Sequence, residues 1–117
     1  MILRRWTGRI RTADEAEYAA YIARTGGEAY TSTPGNLGWQ MVFRDLGDGA
    51  SEVSTLSWWT DLDAIRGFAG EDYGRAVYYP EDDGFLLDRP ANVDHFRVAE
   101  GSGPARLEPG VQVHSLT

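Results

Sequence analysis

The stretch from Glu52 to Glu81, EVSTLSWWTDLDAIRGFAGEDYGRAVYYPE, constrains this chain more than any other. Val53, Thr55, Ser57 and Trp59 share one side of a two-residue period, and Ser54, Leu56 and Trp58 share the other. The adjacent tryptophans are therefore expected on opposite faces of a sheet. Thr60 or Asp61 is placed to cap a helix in which Leu62, Ile65 and Phe68 follow helical spacing, with Gly70 ending it. Gly74 to Tyr79 reads as a further helical turn before Pro80.

The flanking segments supply the remaining elements. Met1 to Ile10 alternates as a strand, with Ile2, Trp6 and Ile10 on one side and Leu3 on the other. Arg4 falls on the same side as Trp6 and Gly8, so that face is not wholly apolar. Thr12 and Glu15 have capping-box spacing and open a helix through Tyr18, Tyr21 and Ile22, which Gly26-Gly27 is expected to stop. TSTPGNLG, from Thr31 to Gly38, is turn chemistry. A second strand sets Trp39, Met41 and Phe43 against Gln40, Val42 and Arg44, and Gly47-Asp48-Gly49 turns it into the third. Asn92 to Ala99 reads as a fourth strand, with Val93, His95 and Arg97 on one face and Phe96 and Val98 on the other.

The order strand, helix, strand, strand, helix, strand predicts an α+β, ferredoxin-like fold with a four-stranded antiparallel sheet. Right-handed crossovers put both helices on one face and leave the other bare. The surplus of large apolar groups, Trp6 or Trp39, Met41, Phe43 and one of Trp58 and Trp59, is assigned to that bare face and predicts a homodimer packed sheet to sheet. Residues 1–99 form the domain and 100–117 a C-terminal extension, read as a fifth strand through Val111, Val113 and Leu116 or as a tail.

Composition narrows the function classes. A net charge of −7, with every one of the 11 basic residues an arginine, opposes nonspecific nucleic-acid binding. With no cysteine there is neither a disulfide framework nor a thiolate metal site, and no apolar run is long enough to span a bilayer. No leader segment is expected, and a cytoplasmic location is the default. Glycine-rich nucleotide loops and a serine nucleophile elbow are missing from the sequence.

Thr33-Pro34-Gly35-Asn36, Trp59 with Ala64-Ile65, Phe68-Ala69-Gly70-Glu71-Asp72, Tyr78-Tyr79-Pro80-Glu81-Asp82 and Val93-Asp94-His95-Phe96 form a motif series. It resembles the antibiotic biosynthesis monooxygenase family of the dimeric α/β-barrel superfamily. The resemblance covers residues 1–99 and implies a homodimer with a pocket in each subunit, between the bare sheet face and a helix. That superfamily includes cofactor-independent oxygenases of aromatic polyketides, polyketide cyclases, haem-degrading enzymes and proteins of no assigned activity. The haem-degrading branch pairs a Trp with a later His. Phe68 and Tyr78 stand at the matching positions here, which argues against haem.

The resemblance implies a monooxygenase acting without a bound cofactor on an aromatic or polyketide-like small molecule. A cyclase or isomerase, or a non-catalytic dimeric binding protein, is the alternative. His95 is the candidate acid–base group, because imidazole titrates near neutrality. A packed, hydrogen-bonded strand histidine is its bland counterpart. Tyr78 and Tyr79 are candidates to orient a carbonyl or phenolate, against a role as apolar anchors before Pro80. Trp59, Asn36, Arg97 and Phe68 are candidate substrate contacts, with core or dimer packing the plain reading of Trp59. Two His without paired spacing predict no zinc site, and Asp82-Asp83 reads as a solvated acidic loop.

Overall fold

The computed structural model describes residues 1–102; the expected fifth strand and His114 lie outside the described residues. Strand β1 is Ile2–Arg11, followed by a 3-10 turn at Thr12–Asp14. A helical run then comprises α1 (Glu15–Ile22), a π-helical segment (Ala23–Gly27) and α2 (Glu28–Ser32). Strands β2 (Asn36–Gly47) and β3 (Ala50–Trp59), helix α3 (Leu62–Ala69), a 3-10 helix (Pro80–Gly84) and β4 (Asp94–Arg97) complete it. The antiparallel sheet has the order β2-β3-β1-β4, the ferredoxin-like arrangement read from the pattern.

Local signals formed β3 and α3 as expected. Asp48 and Gly49, with φ of 58° and 78°, make the two-residue turn that closes Gly47 onto Ala50. Positive φ at both positions gives the turn a twist that matches the strands. Asp61, not Thr60, caps α3 by accepting from the Ala64 amide at 2.8 Å, and Gly70 follows it at φ 85°.

The first helical run departs from expectation in two ways. Thr12 and Glu15 form no capping box: the Ser51 hydroxyl lies 2.9 Å from that of Thr12 and donates to Glu15, tying the helix to β3. Nor do Gly26 and Gly27 stop the helix, which continues through them to Ser32. A Cβ at Gly27 would come within 2.4 Å of Trp39 Cζ2, so the missing side chain lets the helix approach β2. The extra residue of the π turn is accommodated there, with Thr25 Oγ1 donating to the Tyr21 carbonyl at 2.8 Å.

Register decides which face is which. Arg4, Trp6, Gly8 and Ile10 pair with Ser57, Thr55, Val53 and Ser51, which pair in turn with Trp39, Met41, Phe43 and Asp45. This is the helix-covered face, and its core comprises Trp6, Ile10, Tyr18, Tyr21, Ile22 and Val53, with Tyr30, Trp59 and Ile65 beside it. Trp6, Trp39, Met41, Phe43 and Trp59 therefore lie under the helices, and of the groups expected on the bare face (Trp6 or Trp39, Met41, Phe43 and one of Trp58 and Trp59) only Trp58 is there. The opposite face carries Leu3, Leu56, Trp58, Val42 and Phe96, interspersed with the ion pairs Arg5–Asp94 and Arg44–Glu52. The two adjacent tryptophans do point to opposite faces, Trp59 fully buried and Trp58 half-buried.

From Glu71 to Val93 the chain forms a strap across the mouth of the helix–sheet layer. Gly74 to Tyr79 is extended, not helical: Ala76 N donates to Ala91 O and Val93 N to Gly74 O, both at 2.9 Å. Farther on, Leu86 bridges Ile10, Leu87 N donates to Arg9 O, and Asp88 accepts from Arg9 N. The strap thereby uses the β1 edge beyond Arg5, which is why β4 is only four residues long, shorter than Asn92 to Ala99.

Candidate functional site

Between the covered sheet face and the helical run lies a narrow cavity roofed by the strap. Arg4, Trp6 and Thr55 come from the sheet, Tyr18, Ile22, Gly26 and Tyr30 from the helical run, and Phe68 from α3. Val77, Tyr78, Tyr79, Asp82 and Val93 come from the strap. Its free volume is 40 Å³. One water needs about 10–15 Å³ on this measure, so the cavity holds only a few. A larger guest needs the lining side chains to make room.

Arg4 is the unusual wall residue. Its side chain is buried at 3% exposure, yet no carboxylate pairs with it among the described residues. Nη1 donates to the Tyr73 carbonyl at 2.5 Å and Nη2 to the Arg75 carbonyl at 3.1 Å, fastening the start of the strap. The guanidinium carbon sits 5.6 Å from the Phe68 ring centroid, and Phe68 stacks on Tyr30 at 4.8 Å. Burial pulls its pKa below the ordinary value, with the Tyr30 hydroxyl acting in the opposite sense. A guanidinium remains cationic through such a shift.

Tyr78 and Tyr79 both reach the cavity. The Tyr78 hydroxyl accepts from Trp6 Nε1 at 3.0 Å and donates to the Pro90 carbonyl at 2.5 Å, while Arg89 lies 4.5 Å over its ring. Burial raises the Tyr78 pKa, against the lowering effects of the Trp6 bond and Arg89. Its phenol is thereby built into the frame of the strap. Tyr79 has its pKa raised by burial, then by Tyr30 and Asp82, and its backbone N–H donates to Asp82 Oδ2 at 2.6 Å.

The other expected site residues are dispersed. His95 is not among the cavity-lining residues. It faces the covered side with Arg4, in an open groove with Arg97, Met1 and Asp61. Phe96, on the strand face opposite His95, is on the bare face at 42% exposure against Arg5. His95 therefore faces the helix-covered side of the sheet and not the bare face. Trp59 is buried in the core, its Nε1 donating to Ser57 Oγ at 2.8 Å, and does not touch the cavity. Asn36 sits at the start of β2, its side-chain oxygen accepting from Gly38 N at 3.1 Å, remote from the cavity. Arg97 is exposed. Phe68 alone of the four substrate candidates lines the cavity.

Trp6, Arg4, Tyr18, Tyr30 and Asp82 were not singled out as site residues from the sequence. For Arg4 a signal existed, since its phase on β1 put it among buried residues. For Asp82 none did. Between exposed Glu81 and exposed Asp83 it looks like solvated charge, yet it is 3% exposed.

No protein-family model matches this chain, and no curated protein does. Solved structures do. The haem-degrading protein Rv3592 from Mycobacterium tuberculosis aligns at 21% identity over 88% of this chain and 100% of that one, with a TM-score of 0.50. A candidate antibiotic biosynthesis monooxygenase from Bacillus cereus aligns at 16% identity over 88% and 97%, with a TM-score of 0.52. This chain has the antibiotic biosynthesis monooxygenase-like fold. NE2512, a Nitrosomonas europaea protein of unknown function, shares it at 16% identity over 90% of this chain and 96% of that one, TM-score 0.53. Among the described residues no histidine lines the cavity, and Phe68 and Tyr78 offer no ligand nitrogen there.

Proposed function

We propose that this protein is a cofactor-independent monooxygenase acting on a small, electron-rich aromatic or polyketide-like phenol that binds as its anion beside Arg4. The observation that carries this reading is the buried guanidinium, held in the wall of an aromatic cavity with no carboxylate partner among the described residues. An opposite charge at that distance favours ionisation of a bound phenol or enol, and the surrounding rings exclude water from the resulting anion. His95 acts through Arg4, as the acceptor that helps hold the guanidinium in place. For a substrate with a methylene beside the phenolic ring, the anion passes an electron to O2 and the radical pair recombines to a hydroperoxide. Loss of water then leaves a carbonyl, so CH2 and O2 become C=O and H2O. A homodimer closed across the bare sheet face belongs to the same reading.

Oxygen uptake with hydroxylated anthrones and naphthols tests it. One O2 consumed per carbonyl formed is expected, with Arg4→Gln slowing turnover by about 10²- to 10³-fold and Arg4→Lys retaining part of the rate. Binding of these compounds without any oxygen uptake supports a non-catalytic binding protein instead. The commitment of His95 Nε2 to Arg4 favours that second reading, because it removes the free imidazole lone pair from acid–base work.

A further inference from the structure

One position in the cavity wall carries no side chain. Gly26 is buried in the π-helical segment and lines the cavity with Tyr18, Ile22 and Tyr30. Its neighbour Gly27 has a packing reason to be glycine, since a Cβ there meets the Trp39 ring at 2.4 Å. Gly26 has no such reason. Apart from the helix's own backbone, a Cβ there has one heavy atom within 4 Å among the described residues, Ile22 Cγ2 at 3.9 Å, an ordinary contact. Nor is Gly26 among the glycines of positive φ. Alanine is the better helix former of the two, so local folding does not favour glycine here. A buried Cβ position with so little around it faces interior space, and the interior space that Gly26 lines is the cavity.

We infer that Gly26 is a specificity-determining residue, whose missing side chain lets a fused aromatic ring of the substrate lie against the helix backbone. This inference rests on the aromatic-anion reading above and adds what limits the size of the ring system. A backbone approaches a ligand closely where no Cβ intervenes. Tyr18, Ile22 and Tyr30 change rotamer to make room, whereas a Cβ at position 26 is fixed to the helix and cannot swing aside. A methyl group is at least as large as a water, which needs about 10–15 Å³, so it takes about a quarter or more of the 40 Å³ free volume. Single π turns within α-helices recur at functional sites, and Gly26 lies within this one. The ligand class is thereby narrowed to phenolates with more than one ring, because a single-ring phenolate needs less of this space.

Absorbance titration at mildly alkaline pH with 4-nitrophenolate and 4-nitro-1-naphtholate tests it, since these anions share the phenolate oxygen and differ by one fused ring. The wild-type protein is expected to bind both, the fused-ring anion at least as tightly. Gly26→Ala should weaken the fused-ring anion about 10- to 200-fold relative to the single-ring one, the range for one carbon in an apolar pocket. Its melting temperature should be unchanged or raised. A Gly26→Ala protein that binds the two anions in wild-type proportion overturns the Gly26 assignment and leaves the Arg4 reading standing. So does a wild-type protein that takes only the single-ring anion. A Gly26→Ala protein that fails to fold shows that the glycine serves the fold, and overturns the assignment as well. Failure of the wild-type protein to bind either anion overturns both readings.

Discussion

Arg4 Nη1 lies 3.1 Å from His95 Nε2, across the register pair that joins β1 to β4. A guanidinium has only donors, so the imidazole nitrogen accepts and the ring proton of neutral His95 resides on Nδ1. Burial first and the Arg4 charge second hold the His95 pKa below its ordinary 6.5, with Asp94 acting in the opposite sense. The histidine thus serves as a neutral acceptor for the cavity's cation.

This pair sets a pH dependence. A histidine whose folded pKa is depressed contributes stability that is fully present above the unfolded value of 6.5 and is lost as pH falls through the folded value. His95→Gln retains an acceptor for Arg4 without the titration. Between about pH 7.5 and about pH 5 the wild-type melting temperature should fall more than that of the variant. Parallel curves would show that His95 does not titrate against Arg4.

The glycine pair inside the first helical run should respond to alanine with opposite signs. At Gly27 a Cβ meets the Trp39 ring at 2.4 Å, whereas at Gly26 the nearest atom is Ile22 Cγ2 at 3.9 Å. Gly27→Ala should destabilise by about 1–3 kcal/mol through overpacking. Gly26→Ala should be neutral or stabilising by up to about 1 kcal/mol, the helix-propensity gain. Urea denaturation of the two variants checks this, and similar midpoints would refute it.

The bare sheet face predicts self-association. Val42 and Phe96 are 45% and 42% exposed, and Leu3, Leu56 and Trp58 are half-buried between them. A standard interface covers about 800 Å² per partner, the scale of such a face. Sedimentation should show a dimer of the 13.0 kDa chain, and Trp58→Asp should shift it toward monomer without unfolding it. Only monomer at micromolar wild-type concentration would sink this expectation. Trp39 and Met41 are not suitable probes of the seam, because both lie on the covered side.

Haem should not bind tightly. The cavity wall has Phe68 and Tyr78 where a Trp and a His are expected of the haem-degrading branch, and the Tyr78 hydroxyl is already engaged with Trp6 and Pro90. Mixing with hemin followed by desalting should leave no stoichiometric Soret band; a retained one would overturn the prediction.

The two-residue period determined which side chains share a face, and the local caps determined where α3 begins and ends. Those signals depend only on neighbours in the chain, so Asp61, Gly70, the Asp48-Gly49 turn and the buried phase of Arg4 were all legible. Which face the helices cover was not. Both faces carry large apolar groups, Trp6 and Trp59 on one and Leu56 and Trp58 on the other, and alternation alone cannot rank them. The choice follows from helix–sheet packing, where Gly27 yields room to Trp39. Tertiary structure likewise decided the site. The strap's hydrogen bonds to Arg4 and to the β1 edge bury Asp82 while Glu81 and Asp83 stay in solvent. Adjacent carboxylates of one acidic run differ only in what the distant chain brings against them.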